Sequence, residues 1–178
     1  DPALQYIQSS KSESPEYVDA LISYLEQNYP EALKRSEDVT QKAGWMYEGL
    51  LLQGNIFTAM GNDQVSIGKY PAANDFFDKA RKAYLAAAQK GQSDPQIYEG
   101  LCSLQAIVQD ITINEKGSCT PAVTDEGLRY CQKALQADSQ NVTANLLASN
   151  IYGLLAYEQS INGKDSSAEV ANAVNHIQ

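Results

Sequence analysis

The chain has 178 residues, 43% of them hydrophobic, enough for a folded unit that buries roughly 70% of its unfolded surface. Its formal net charge is −9, and the 13 Lys and Arg are scattered rather than clustered, which excludes the basic face that phosphate contact requires and with it nucleic acid as a partner. No apolar run reaches the roughly 18 to 20 residues of a membrane span, and no cationic start leads into an apolar core, so neither insertion nor export is expected and the expected compartment is the cytoplasm.

Ala, Leu, Gln, Lys and Glu are abundant and Pro stands at apparent segment starts, so the expected class is all-α. Because the sequence opens on Asp1 and not on Met, it is expected to be a piece of a longer protein, with targeting signals and partner domains outside it. Asp1-Pro2 and Ser14-Pro15 each place a capping side chain before a proline suited to the first helical turn. Val18, Leu21, Ile22 and Leu25 then recur at helical spacing, and the helix should break near Pro30. A further helical stretch holds Ala32 and Leu33 and grades into Trp45; whether it breaks near Gly44 is open from the pattern alone.

From Tyr47 to Met60 the spacing predicts a helix carrying Leu50, Leu51, Gly54 and Phe57, with Gly61 as its stop. Residues 61–70 should then bulge as a long inter-helix loop. Pro71 opens the next helix, in which Ala73, Phe77 and Ala80 are followed by Phe76, Ala83, Tyr84 and Ala87 on one stripe as far as Gly91. Asp94-Pro95 caps another helix holding Leu101, Leu104 and Val108 and ending near Asn114. Its partner is expected from Thr124-Asp125-Glu126, with Gly127, Cys131 and Ala134 at the same small-large-small spacing. A third pair begins at Val142 with Leu146, Ala148, Ser149 and Tyr152, pauses at Asn162-Gly163, and closes with Ser166-x-x-Glu169, a capping box before Val170, Val174 and Ile177.

Several constellations have simpler readings than chemistry. Gly61 to Lys69 differs from a phosphate loop because six residues separate Gly61 from Gly68, where four are needed, and Tyr70 follows Lys69 where Ser or Thr should meet magnesium. His176 is the only histidine, so no catalytic or metal set can be built around histidines, and it is expected on the surface. Carboxylates do not pair on an apolar face. No enzyme activity, metal or cofactor is therefore expected. Cys102, Cys119 and Cys131 are an odd count without close pairs and are expected as reduced, mostly buried thiols, although Cys119, in the loop-like run Gly117 to Pro121, could reach one of the others. Trp45 is expected to fill core, and the sequon at Asn141-Val142-Thr143 is expected to be a chance match at an inter-repeat turn.

Three stretches echo one another: Leu50-x-x-Gln53-Gly54-x-x-Phe57, Leu101-x-x-Leu104-Gln105-x-x-Val108 and Asn145-x-x-Ala148-Ser149-x-x-Tyr152. Together with Ala73-x-x-x-Phe77-x-x-Ala80 and its successor at Gly127, they resemble the tetratricopeptide repeat family over residues 30–178. Departures are the loss of the motif's Trp to Leu50, Leu101 and Asn145, and insertions after Gly61 and Asn114. The resemblance implies a right-handed α-solenoid of about three elongated hairpins: N-terminal helices over 1–44, then repeats over 45–95, 96–141 and 142–178 in a single domain. It also implies a concave groove on the first helix of each pair, at Leu51, Asn55 and Thr58, then Cys102, Ala106 and Gln109, then Leu146 and Asn150. That set holds no Lys or Arg, so it does not resemble a basic clamp for a C-terminal carboxylate, and a protein or peptide bound by apolar and amide contacts is the implied partner.

More loosely, Tyr47-Glu48-Gly49, Gly68-Lys69-Tyr70-Pro71, the run Lys82 to Ala88, and Ser93-Asp94-Pro95 resemble the C-terminal repeat region of some bacterial serine/threonine protein kinases, which implies an attached kinase domain. No kinase glycine loop, His-Arg-Asp or Asp-Phe-Gly element stands in this sequence. The other expected roles are self-association through the apolar face of Val170, Val174 and Ile177, and sensing of a small molecule held near Trp45.

Overall fold

Among the described residues proline stands in the first turn of five of the eight helices, and a side chain caps three of the eight. The computed structural model describes residues 14–177, and among them every regular element is helical: α1 Pro15–Leu25, α2 Tyr29–Lys42, α3 Tyr47–Ser66, α4 Tyr70–Ala88, α5 Pro95–Lys116, α6 Pro121–Ala137, α7 Val142–Ile161 and α8 Ser167–Asn175. The Ser14 hydroxyl accepts from the Tyr17 N–H at the head of α1, Asp94 accepts from the Gln96 N–H at α5, and Asn141 accepts from the Ala144 N–H at α7. Each of these bonds satisfies one of the orphan donors that open a helix. The Asp1-Pro2 start lies outside the described residues. Contacts divide the chain into two units, Asp1–Gln92 and Ser93–Gln178.

In the first unit, α1 and α2 form a hairpin that packs on α3 through a core of Ala20, Ala32, Leu52 and Ile56, flanked by Tyr17, Leu21, Tyr24, Tyr29, Leu33 and Met60. Arg35 on α2 reaches Asp19 on α1 at 3.0 Å, and Lys42 reaches Glu16 at 3.3 Å; these exposed pairs orient the hairpin more than they stabilise it. The break left open near Gly44 is present, over residues 43–46.

The sequence expectation fails most clearly at Gly61. The helix does not stop there: α3 runs on to Ser66, and the long loop shrinks to residues 67–69. The reason is the antiparallel packing of α3 on α4. A side-chain atom on Gly61 would overlap the ring of Phe77, and one on Gly54 would overlap the ring of Tyr84. At the open end of the hairpin the roles reverse, and the ring of Tyr47 covers Gly91. Positions 47, 54 and 61 thus face 91, 84 and 77, each step seven residues long. Seven residues are close to two helical turns, so all three contacts lie along one seam.

In the second unit, α5 pairs with α6, α7 packs on both, and α8 packs on α7. Gly117 ends α5 in the left-handed conformation with φ 72°, its N–H bonding the Ile113 carbonyl. The following helix starts at Pro121, earlier than the expected Thr124, which is buried inside it. Gly127 gives its missing side-chain space to Ile151 of α7 and to Gln105 of α5. The capping box at the head of α8 is not formed as expected: Ser166 makes no cap bond, and the Asp165 carboxylate instead accepts from the backbone N–H and hydroxyl of Ser167.

Glycine at the α3–α4 seam should be distinguishable from glycine in open space. Gly61→Ala gains helix propensity but collides with Phe77, and is expected to lose about 1–3 kcal/mol. Gly153→Ala in α7, where added atoms would meet nothing within 4 Å, is expected to gain about 0.5–1 kcal/mol. Urea unfolding followed by circular dichroism checks both signs.

Candidate functional site

The groove positions implied by the repeat resemblance fall into three environments. On α3, Leu51 is buried, while Asn55 and Thr58 are half-buried beside the phenol of Tyr84. The Tyr84 hydroxyl donates to Asn55 Oδ1 at 2.8 Å, and Thr58 Oγ1 lies 3.2 Å from the same hydroxyl while donating to the Gly54 carbonyl at 2.9 Å. These polar groups therefore tie α3 to α4. Burial pushes the Tyr84 phenol up to about 12, against a partly opposing hydrogen bond to Thr58.

In the second unit, Cys102 and Gln109 are fully buried and Ala106 nearly so. Cys102 does not face a groove. It is joined to Cys131 of α6 by a disulfide, with 5.3 Å between the Cα atoms, which overturns the expectation of reduced thiols at these two positions. Cys119, expected to be the cysteine able to reach another, is the free one, and its thiol is pushed up by burial and by the Glu158 carboxylate.

Gln109 is likewise structural. Its Nε2 donates to the Ile151 carbonyl of α7 at 3.4 Å, and its Oε1 is buried without a partner. Two further amides act in the same direction: Asn141 at the head of α7 donates to Glu99 near the head of α5, and Asn162 at the tail of α7 donates to the Gly117 carbonyl at the tail of α5, at 3.0 Å. The sequence separations of the three are 42, 42 and 45. Head is tied to head and tail to tail, so α5 and α7 run parallel as the first helices of successive hairpins.

Between these two helices lies a cleft of about 290 Å³ lined by Ser103, Ala106, Ile107 and Asp110 of α5 and by Leu147, Asn150 and Leu154 of α7. Ala106 and Asn150 are shared with the positions expected from sequence; Leu146 is exposed but lies outside the lining. Sequence reasoning missed Ser103, Ile107, Asp110, Leu147 and Leu154. Their spacing is itself a helical signal, since 103, 106, 107 and 110 follow the one-face rule, as do 147, 150 and 154.

Two aromatic expectations also change. Trp45 does not fill core: it sits in the α2–α3 connection with 78% of its surface exposed. His176, expected on the surface, is half-buried, stacked on the Tyr152 ring at 5.7 Å and within 3.1 Å of Asn145 Oδ1, and so seats the end of α8 on α7. Among the described residues, no helix is long and apolar enough to cross a membrane and no group of three or more His, Cys, Asp or Glu could hold a metal ion. Comparison with known proteins adds no relative: no family model matches the chain, and no curated protein matches it.

The buried phenol carries a pH dependence. The unfolded chain releases the Tyr84 proton near pH 10 and the folded chain only near pH 12, so stability is intact below pH 10 and falls as pH rises between the two, by about 2–3 kcal/mol. Tyr84→Phe should flatten this part of the profile relative to the parent, as measured by urea midpoints at stepped pH.

Proposed function

We propose that this chain is a protein-interaction module of tetratricopeptide-like hairpins that docks a peptide or protein segment on the paired first helices of its second unit. The observation that carries the reading is the cleft between α5 and α7, walled by Ala106, Ile107, Leu147 and Leu154 and edged by Ser103, Asn150 and Asp110. An apolar floor with a few polar groups at its rim is the usual chemistry of a recognition cleft. The helices that form it are fastened along their whole length by amide bonds and, through Cys102, to α6. A surface held in this way is largely preformed, so little ordering entropy opposes docking. The solenoid reading draws its support from the same place, since α7 follows α5 at a near-constant offset in sequence.

The test begins with peptides selected by the wild-type chain from a displayed library. Ile107→Ala combined with Leu154→Ala should weaken them by about 1–3 kcal/mol, with helical circular dichroism unchanged, while Gln136→Ala on the exposed side of α6 should leave affinity as it was. Equal binding by all three chains would remove the cleft assignment.

A second reading, self-association, is favoured by α8. Val170, Val174 and Ile177 occupy the spacing that Ala73, Phe77, Ala80 and Gly127, Cys131, Ala134 occupy in the earlier second helices, where all six are buried. Here the three are 41 to 58% exposed. Pairing through this face predicts a mass that rises toward twice the chain mass with concentration in light scattering, and returns to a single chain in Val174→Glu; a constant mass in the parent would dismiss it.

A further inference from the structure

The charge on the walls of the α5–α7 cleft says what kind of segment it suits. Helix α7 carries no Lys or Arg, and α5 carries only Lys116, in its last turn. The carboxylates of Glu99, Asp110 and Glu115 stand on α5 and that of Glu158 on α7. Of these, Asp110 belongs to the cleft lining itself. It is exposed, one of its oxygens accepts from Asn114 Nδ2 at 3.0 Å, and among the described residues no ion pair engages it. Because α5 and α7 run parallel, Asp110 lies at the same end of the trough as Leu154, and Ile107 is one turn before it on the same face.

We infer that the cleft binds an apolar peptide segment bearing a cationic side chain, whose aliphatic stem lies on Ile107 and Leu154 and whose charged end meets Asp110. This inference rests on the docking reading above and adds the partner's chemistry. Long cationic side chains cover apolar surface with their stems while keeping the charge at the rim, which matches an apolar floor ending at an exposed carboxylate. A net charge of −9 acts in the same direction at longer range by raising encounter rates with cationic segments and repelling anionic ones. The expected preference is selective rather than large, because the pair forms at a solvated rim.

The probe is a nonapeptide library with aliphatic residues at randomised flanking positions and its central residue fixed as Lys, as neutral norleucine or as Glu, titrated against the full chain by fluorescence anisotropy. Lys peptides should bind about threefold to fivefold more tightly than their norleucine counterparts at low salt, with Glu peptides weakest. The preference should vanish in Asp110→Asn and shrink as salt is added, and Asp110→Lys should reverse it. If Leu154→Ala weakens every peptide yet Lys and norleucine bind the wild-type chain equally, the cationic inference is overturned and the docking reading stands. If no peptide binds, or Leu154→Ala changes nothing, both fall. Asp110→Asn replaces an exposed side chain with one of nearly the same shape, so its circular dichroism should match the parent and the comparison isolates charge.

Discussion

Three side-chain amides, from Asn141, Gln109 and Asn162, hold α7 alongside α5, and the second unit is organised around them. Each such bond has a modest net worth of about 1 kcal/mol. For Gln109 and Asn141, which are buried, the weight lies in what happens when the bonds are not made, because an amide shut away from water without a partner carries a much larger penalty. Asn162 is exposed and adds alignment rather than that penalty. Sliding α7 along α5 by one turn would break all three at once. The cleft exists because this register is fixed: residues 103 to 110 and 147 to 154 face each other only in this alignment.

The first unit solves the same problem of holding two long helices in register chiefly by packing rings against glycines. Along the α3–α4 seam, rings and glycines exchange places, with Tyr47 over Gly91 at one end and Tyr84 and Phe77 over Gly54 and Gly61 further in. Such packing brings the backbones close and makes the hairpin intolerant of added volume, since close-packed interiors cannot absorb even a methylene. The hydroxyl of Tyr84, carried inward by its ring, then needs a partner, and Asn55 supplies it. A groove residue in the sequence reading becomes, in the folded chain, the group that makes a buried phenol tolerable.

Much of the helical framework was legible in the sequence because its signals are local. Ser14 and Asp94 cap the helices they precede, and the prolines stand in first turns, where their missing N–H costs nothing. What was not legible depends on partners distant in sequence. Gly61 has the form of a helix stop when read alone and becomes an interior residue only once Phe77 is placed against it. The cleft register was missed because the apolar stripe of α5 is wide: Leu101, Cys102, Leu104 and Gln105 all point inward, and spacing alone does not say which edge of such a stripe faces a neighbour. The pairing of Cys102 with Cys131 and the exposure of Trp45 are equally nonlocal outcomes.

Asn141 carries one more consequence. It is the acceptor position of a glycosylation sequon, yet its side chain is buried, donating through Nδ2 to Glu99 and accepting through Oδ1 from the Ala144 N–H. A glycan would occupy the very nitrogen that joins the two hairpins. On a secretory route, oligosaccharide transfer and native stacking would thus compete for a single atom, and a molecule that received the sugar before folding could not seat the head of α7 against α5.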